Sequence, residues 1–202
     1  MDASLIFETL KSRLGDAILE FDSTVKSPFI RVSRERFFEV MQALRDEPDL
    51  SFDFLQLVTG LDYPDRFVAA YHLASISRGH AIAIKVDLPR TDPSIDSVAA
   101  LWPAADWHER EQYDLMGIDF KGHPGLRRIL CPEDWEGHPL RKDYVQPDEY
   151  HGISNARRIG DDWYPKPDED SKAIQQYKAP KPASAKETVS KTERDKEQGS
   201  AG

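Results

Sequence analysis

The 202-residue chain carries 27 Lys and Arg against 36 Asp and Glu, a net charge of −9, with a mean hydropathy of −0.62. That charge argues against nucleic acid or an anionic membrane as a direct partner, and no apolar run approaches the roughly 20 residues a spanning helix needs. The single cysteine, Cys131, excludes an internal disulfide and a four-cysteine iron–sulfur cluster within the chain and fits a reducing compartment.

The N-terminal stretch MDASLIFETLKSRLG lacks the basic and apolar regions of a signal peptide, so no leader is expected. Residues 4–14 read as a helix capped by Ser4 and closed by Gly15. Ala17–Phe21 and Phe29–Val32 read as short strands. Ser33 is the expected cap of a second helix, in which Phe37, Val40, Met41 and Leu44 form one apolar stripe, and Pro48 follows its end. Phe52–Val58 leads to an expected turn at Gly60. Phe67–Ile76 and Ala81–Leu88 are the clearest strands, with Ile82, Ile84, Val86 and Leu88 on one face and Ser77-Arg78-Gly79-His80 as the hairpin turn. Ser97–Leu101 reads as a helical turn. The expected fold is α+β: a two-layer domain with a mixed sheet and helices packed on it, followed by an extended C-terminal segment and a disordered tail. Residues 1–105 make the core domain, 106–144 a distinct segment, 145–165 a stretch with the aromatic anchors Tyr150, Trp163 and Tyr164 but no sustained period, and 166–202 the tail. The tail holds eight basic and seven acidic residues, too polar to bury a core, so the acidity belongs to the rest.

The segment Asp106–Tyr144 concentrates the unusual residues: two of the four Trp, three of the six His and the Cys. It repeats a Gly-His-Pro turn, at 122–124 and 137–139, each leading to a Leu followed by two cations, Arg127-Arg128 and Arg141-Lys142. Asp106 with Glu109 three residues later is a capping-box pattern for a helix that Gly117 can close. Glu109, Arg110, Glu111 and Asp114 crowd that helix. Arg110 and Asp114 are spaced to pair at i, i+4, and the carboxylates read either as a solvated face or as an interface that neutralises them.

Catalytic and metal readings find little support in the spacing. His108-Glu109-Arg110-Glu111-Gln112 resembles HExxH, but Gln112 replaces the second histidine, which removes a zinc ligand. Cys131, His123, His138 and Asp134 lack the paired cysteines of a structural zinc site. Cys131, between Leu130 and Pro132, has no neighbouring base or helix start to make it a thiolate. No nucleophile elbow, phosphate loop or dinucleotide loop occurs. The cations at 127, 128, 141 and 142, with Trp107 and Trp135, fit a docking surface for carboxylates; internal pairing with Glu133, Asp134, Glu136 and Asp143 is the equal alternative.

The ordered string Glu109-Arg110-Glu111, Asp114-Leu115-Met116-Gly117-Ile118, Gly122-His123-Pro124, Leu126-Arg127-Arg128-Ile129-Leu130, Asp134-Trp135 and Gly137-His138-Pro139-Leu140-Arg141-Lys142-Asp143-Tyr144 resembles the signature of the C-subunit family of NADH-quinone oxidoreductases, the 30-kilodalton subunits of respiratory complex I. Weaker similarity runs over 33–105, including Gly60-Leu61-Asp62-Tyr63. The family pattern continues with Pro after the Tyr, where this chain has Val145.

The resemblance implies a non-catalytic, cofactor-free subunit, peripheral on the cytoplasmic side of the bacterial cell membrane and reaching it only through the complex. Its partners would be the 49-kilodalton-type quinone-site subunit and the terminal iron–sulfur cluster subunit. The whole complex carries electrons from NADH through FMN and iron–sulfur clusters to quinone, coupled to proton translocation. The resemblance makes 106–144 the docking segment and 145–165 an extended partner-contacting segment, with docking assigned to Glu109, Arg110, Glu111, Asp114, His123, Arg127, Arg128, Trp135, His138, Arg141, Lys142, Asp143 and Tyr144. Replacing Arg127, Arg128 and Arg141 together by Ala is expected to leave the domain folded and impair assembly. The rival readings are the equivalent subunit of a ferredoxin- or deazaflavin-linked quinone reductase or membrane-bound hydrogenase, and a stand-alone metal-dependent hydrolase.

Overall fold

Five strands form one mixed sheet in the order β1-β2-β5-β4-β3 in the computed structural model, which describes residues 2–155. Helix α1 (Ala3–Leu14) leads through a 3-10 turn into β1 (Ile18–Asp22), which pairs antiparallel with β2 (Phe29–Val32). Helix α2 (Phe37–Asp46) follows, then β3 (Phe54–Asp62), β4 (Arg66–Ser75) and β5 (His80–Pro89), an antiparallel meander. The two parts of the sheet join where β5 pairs parallel to β2, with Ile30 opposite Ile84 and Val32 opposite Val86. A parallel pair needs a long crossover, and α2 with the meander supplies it.

The period-two pattern of β5 puts Ile82, Ile84, Val86 and Leu88 into the core with Tyr71 and Leu73 of β4 and Ile30 of β2. Ile6 and Leu10 of α1 and Phe37, Val40, Met41 and Leu44 of α2 meet them. The expected mixed sheet with helices packed on it is what forms. At roughly 1.5–3 kcal/mol for each fully buried large apolar side chain, this layer dominates the stabilising energy of the fold. Ala105, Met116, Ile118 and Phe120 belong to the same core.

Several local expectations are corrected. Helix α1 begins after Asp2 rather than Ser4, and α2 after Arg36 rather than Ser33; neither start carries a side-chain cap. Ser33 instead extends the β1–β2 pairing, its N–H donating to the Ala17 carbonyl at 2.9 Å. Gly60 is no turn: β3 runs through it to Asp62, and the chain reverses at 63–65, where the Tyr63 N–H bonds the Arg66 carbonyl. A short parallel pair, β6 (Ser94–Asp96) with β7 (Asp119–Lys121), brackets helix α3 (Ala105–Met116). The two-residue strands β8 (Glu149–Tyr150) and β9 (Ile153–Ser154) form a terminal hairpin. The anchors Trp163 and Tyr164 and the tail 166–202 lie outside the described residues.

Candidate functional site

Helix α3 starts after Ala104, so Asp106 is not its cap, and it ends at Gly117, whose φ of 69° is the left-handed conformation that suits glycine. Its inward side is polar. Glu109 and Asp114 are fully buried, and Arg110 and Gln112 nearly so. Burying such groups without partners would be costly, and three of the four have close ones.

Gln112, in the place of the missing second histidine, caps the free edge of the sheet. Its Oε1 accepts the Gly60 N–H at 2.8 Å and its amide reaches the Val58 carbonyl at 3.4 Å. Edge strands need such cover. The approach is close: a Cβ on Gly60 would sit 3.0 Å from Gln112 Oε1 and 3.1 Å from Ile118 Cδ1. That is why β3 carries a glycine in mid-strand.

Glu109 accepts the Ser97 hydroxyl at 2.5 Å and the Val98 N–H at 2.8 Å, joining α3 to the loop after β6 rather than completing a capping box. Burial outweighs both hydrogen bonds and pushes its pKa up to about 7.

Asp114 is the hub of the segment. Its Oδ2 accepts three consecutive backbone N–H groups, Ile129 at 3.0 Å, Leu130 at 2.7 Å and Cys131 at 2.8 Å. Its Oδ1 takes Arg128 Nη1 at 2.7 Å, so the partner of Asp114 is Arg128 and not Arg110. Burial would raise its pKa, but the three N–H groups and the guanidinium hold it down at about 2. The other end of Arg128 donates to the carbonyls of Trp135 at 2.8 Å and Gly137 at 3.1 Å.

The two Gly-His-Pro turns clip the two ends of α3. His123 Nε2 donates to the Asp106 carbonyl at 3.2 Å, while its Nδ1 accepts the Gly125 N–H at 3.0 Å. His138 Nδ1 meets the Asp114 carbonyl at 2.9 Å, and burial lowers its pKa, which favours the neutral ring. Arg141 bonds the carbonyls of Met116 at 2.7 Å and Gly117 at 3.2 Å and lies over the Phe67 ring. A Cβ on Gly117 would collide with both Arg141 and His138. Asp62, at the end of β3, accepts the Lys142 N–H at 2.7 Å and pairs with Arg90, which also reaches Asp143 at 3.0 Å. Trp135 packs on Tyr150, whose hydroxyl donates to Asp134 at 2.9 Å. Tyr144 is half-buried, its ring beside Gly137.

Of the thirteen docking candidates, Glu109, Asp114, His123, Arg128, His138 and Arg141 are thus engaged with the chain itself. Arg110 is buried under Trp107, and Glu111 is partly exposed. Arg127, Lys142 and Asp143 are exposed, Asp143 paired with Arg90, and so are Trp107, Leu130 and Leu140. Residues to which the sequence alone gives no binding role hold the arrangement: Ser97, Asp62, Arg90 and Gln112. Asp62 carried a signal as part of the Gly60–Tyr63 match, and Gln112 as the residue standing where HExxH has its second histidine. The Cys131 thiol is pushed up by burial and by Asp114, the opposite of an activated nucleophile. Among the described residues no three His, Cys, Asp or Glu side chains group to hold a metal ion, and no helix is long and apolar enough to cross a membrane.

The mixed sheet and its packed helices are a fold shared with solved structures. The structure aligns with that of a trypsin-resistant fragment (1–134) of Nqo5, at a TM-score of 0.54 and 30% identity, covering 62% of this chain and all of the fragment. The fold also matches a chain of an archaeal membrane-bound sulfane sulfur reductase, at a TM-score of 0.60 and 21% identity, covering 70% of this chain and 85% of that one. In sequence, the chain is 44% identical over 151 residues to the NADH-quinone oxidoreductase C-subunit of Chlorobium phaeobacteroides, spanning 73% of this chain and 91% of that protein. Residues 30–150 match the family described as the respiratory-chain NADH dehydrogenase 30 Kd subunit, and the chain belongs to that family.

Proposed function

We propose that this chain is a non-catalytic, cofactor-free subunit of the peripheral arm of a proton-translocating NADH:quinone oxidoreductase, on the cytoplasmic side of the cell membrane. The complex would pass electrons from NADH through FMN and iron–sulfur clusters to quinone. The chain would dock the 49-kilodalton-type quinone-site subunit and the terminal-cluster subunit, and through them the membrane. The observation that carries this reading is the direction of the side chains in 106–144. The chemically capable groups, Asp114, Glu109, His123, His138 and Arg128, all bind the chain's own backbone or side chains, while Trp107, Leu130, Leu140, Arg127 and Lys142 point outward. Exposed large apolar groups and exposed cations are among the residues a protein interface is built from.

Because Arg128 and Arg141 hold the fold, an Arg127, Arg128 and Arg141 triple variant confounds folding with docking. The clean test replaces Trp107, Arg127 and Lys142 together by Ala. The full chain keeps its unfolding temperature, while the purified membrane complex loses the chain and its NADH:quinone activity. A triple variant that assembles and oxidises NADH normally overturns the proposal. The fold's occurrence in an archaeal respiratory complex supports one second reading, the equivalent subunit of a ferredoxin- or deazaflavin-linked reductase or membrane-bound hydrogenase. A flavin-bearing NADH module in the purified complex decides against it.

A further inference from the structure

We infer that the recess between α3 and the first Gly-His-Pro turn receives a carboxylate side chain from a neighbouring protein subunit, with Arg110 and Arg127 as its cations; the inference rests on the subunit reading above. The recess, of about 450 Å³, is lined by Asp106, Arg110, Pro124, Gly125, Leu126 and Arg127. Arg110 is the anomaly in it. Only 8% of the residue is exposed, yet the guanidinium has no carboxylate partner among the described residues. Its hydrogen bonds are two long ones, at 3.4 Å, to the carbonyls of Arg127 and Arg128. A guanidinium has five N–H donors, so most of its capacity is unused. Nη1 makes no bond among the described residues and is not sealed from solvent, and Arg110 lines the recess. Arg128 by contrast has Asp114, Arg90 outside the segment has Asp62 and Asp143, and Arg141, also without a carboxylate, takes the Met116 carbonyl at a short 2.7 Å.

A nearly buried cation without an anion is unfavourable until an anion arrives. The Trp107 ring, 5.1 Å from the Arg110 guanidinium carbon, gives that cation a cation–π contact. Arg127, exposed and with no side-chain bond among the described residues, adds a second fork to the lining. The planar forks match the two oxygens of a carboxylate. Asp106 on the wall and the net charge of −9 repel dianions and polyanions, so phosphate-rich ligands are disfavoured. Asp106 itself is turned toward His123, its Oδ1 3.3 Å from Nε2. The fitting occupant is one Asp or Glu on a segment that is otherwise neutral or basic.

The test uses the assembled membrane complex carrying the full chain with p-benzoylphenylalanine in place of the exposed Pro124. The expected photo-crosslink joins this position to another subunit, with an Asp or Glu within about three residues of the captured site, the reach of a short extended segment. Arg127→Glu and Arg110→Gln should each lower retention of the chain in the complex at raised salt by about tenfold or more. Replacing the captured carboxylate by Arg should restore retention to Arg127→Glu but not to Arg110→Gln. If Arg110→Gln unfolds the full chain, the crosslink and the Arg127→Glu rescue carry the test. A captured segment without a carboxylate, capture of the chain's own residues 156–202, or no capture in an assembled complex overturns the inference and leaves the subunit reading standing. A chain that co-purifies with no membrane complex overturns both.

Discussion

The sheet layer and the segment strapped over α3 are held by opposite means. In the first, apolar side chains repeat at intervals of two or three to four and meet across the interior, as Ile84, Tyr71 and Phe37 do. In the second, single polar groups hold long stretches of backbone: one carboxylate, Asp114, gathers four donors from residues 128–131. Apolar packing is spread over many contacts and tolerates a defect. A polar hub is concentrated, and removing it leaves several buried donors without an acceptor.

That contrast is broken most sharply at the hub. Asp114→Ala strips the acceptor from three N–H groups and from Arg128, and we expect a loss of about 3–5 kcal/mol in denaturant unfolding of the full chain. The same group gives a pH signature. The folded pKa of about 2 lies below the ordinary 3.8, so its contribution is present above pH 3.8 and is lost as pH falls through 2. The amount is about 2 kcal/mol, and Asp114→Asn should flatten that part of the acid limb.

Glu109 gives the reverse sign. Its folded pKa of about 7 exceeds the ordinary 4.5, so the native state holds the proton longer and loses stability as pH rises from 4.5 to 7. Glu109→Gln removes the charge and should raise stability by up to about 3 kcal/mol at pH 8 and by little at pH 4. Thermal melts across that range read the crossover, and an equal effect at both pH values would show that Glu109 is not the buried acid described.

Gly60→Ala tests the junction between the two regions. The added methyl meets Gln112 and Ile118 at 3.0 and 3.1 Å, and we expect about 1–3 kcal/mol of destabilisation by overpacking. Trp107→Ala should matter least to the free chain. The residue is 62% exposed, so unfolding should shift by about 0.5 kcal/mol or less, while assembly should suffer the larger loss.

How far the sequence could be read follows the same division. Strands β4 and β5 and helix α2 are written in a repeat that recurs every second or every third to fourth residue, and they stand where that repeat puts them. The start signals misled: Ser4, Ser33 and Asp106 are the right residue types for caps, but Asp2, Arg36 and Ala104 occupy the positions, because tertiary packing of the apolar stripe decides where the first turn begins. Strands β6 and β7, three residues each, are too short to carry a period and exist because they find each other across α3. Within 106–144 the sequence left the cations undecided between partner and self. The structure answers residue by residue: Arg128 and Arg141 turn inward, and Arg127 and Lys142 outward. No spacing rule could have separated neighbours such as Arg127 and Arg128, since the choice depends on a carboxylate 14 positions away from Arg128.

The distances along the chain that these polar contacts span carry one more consequence. Asp62 reaches Lys142 across 80 positions and Arg90 reaches Asp143 across 53. Closing loops of that length is entropically unfavourable until the intervening chain is already compact. The strap therefore has nothing to fasten to before β3, β5 and α3 are in place: the groups that hold Lys142 and Asp143 are themselves positioned by the finished sheet, so the outer end of 106–144 is only as well fixed as the core beneath it.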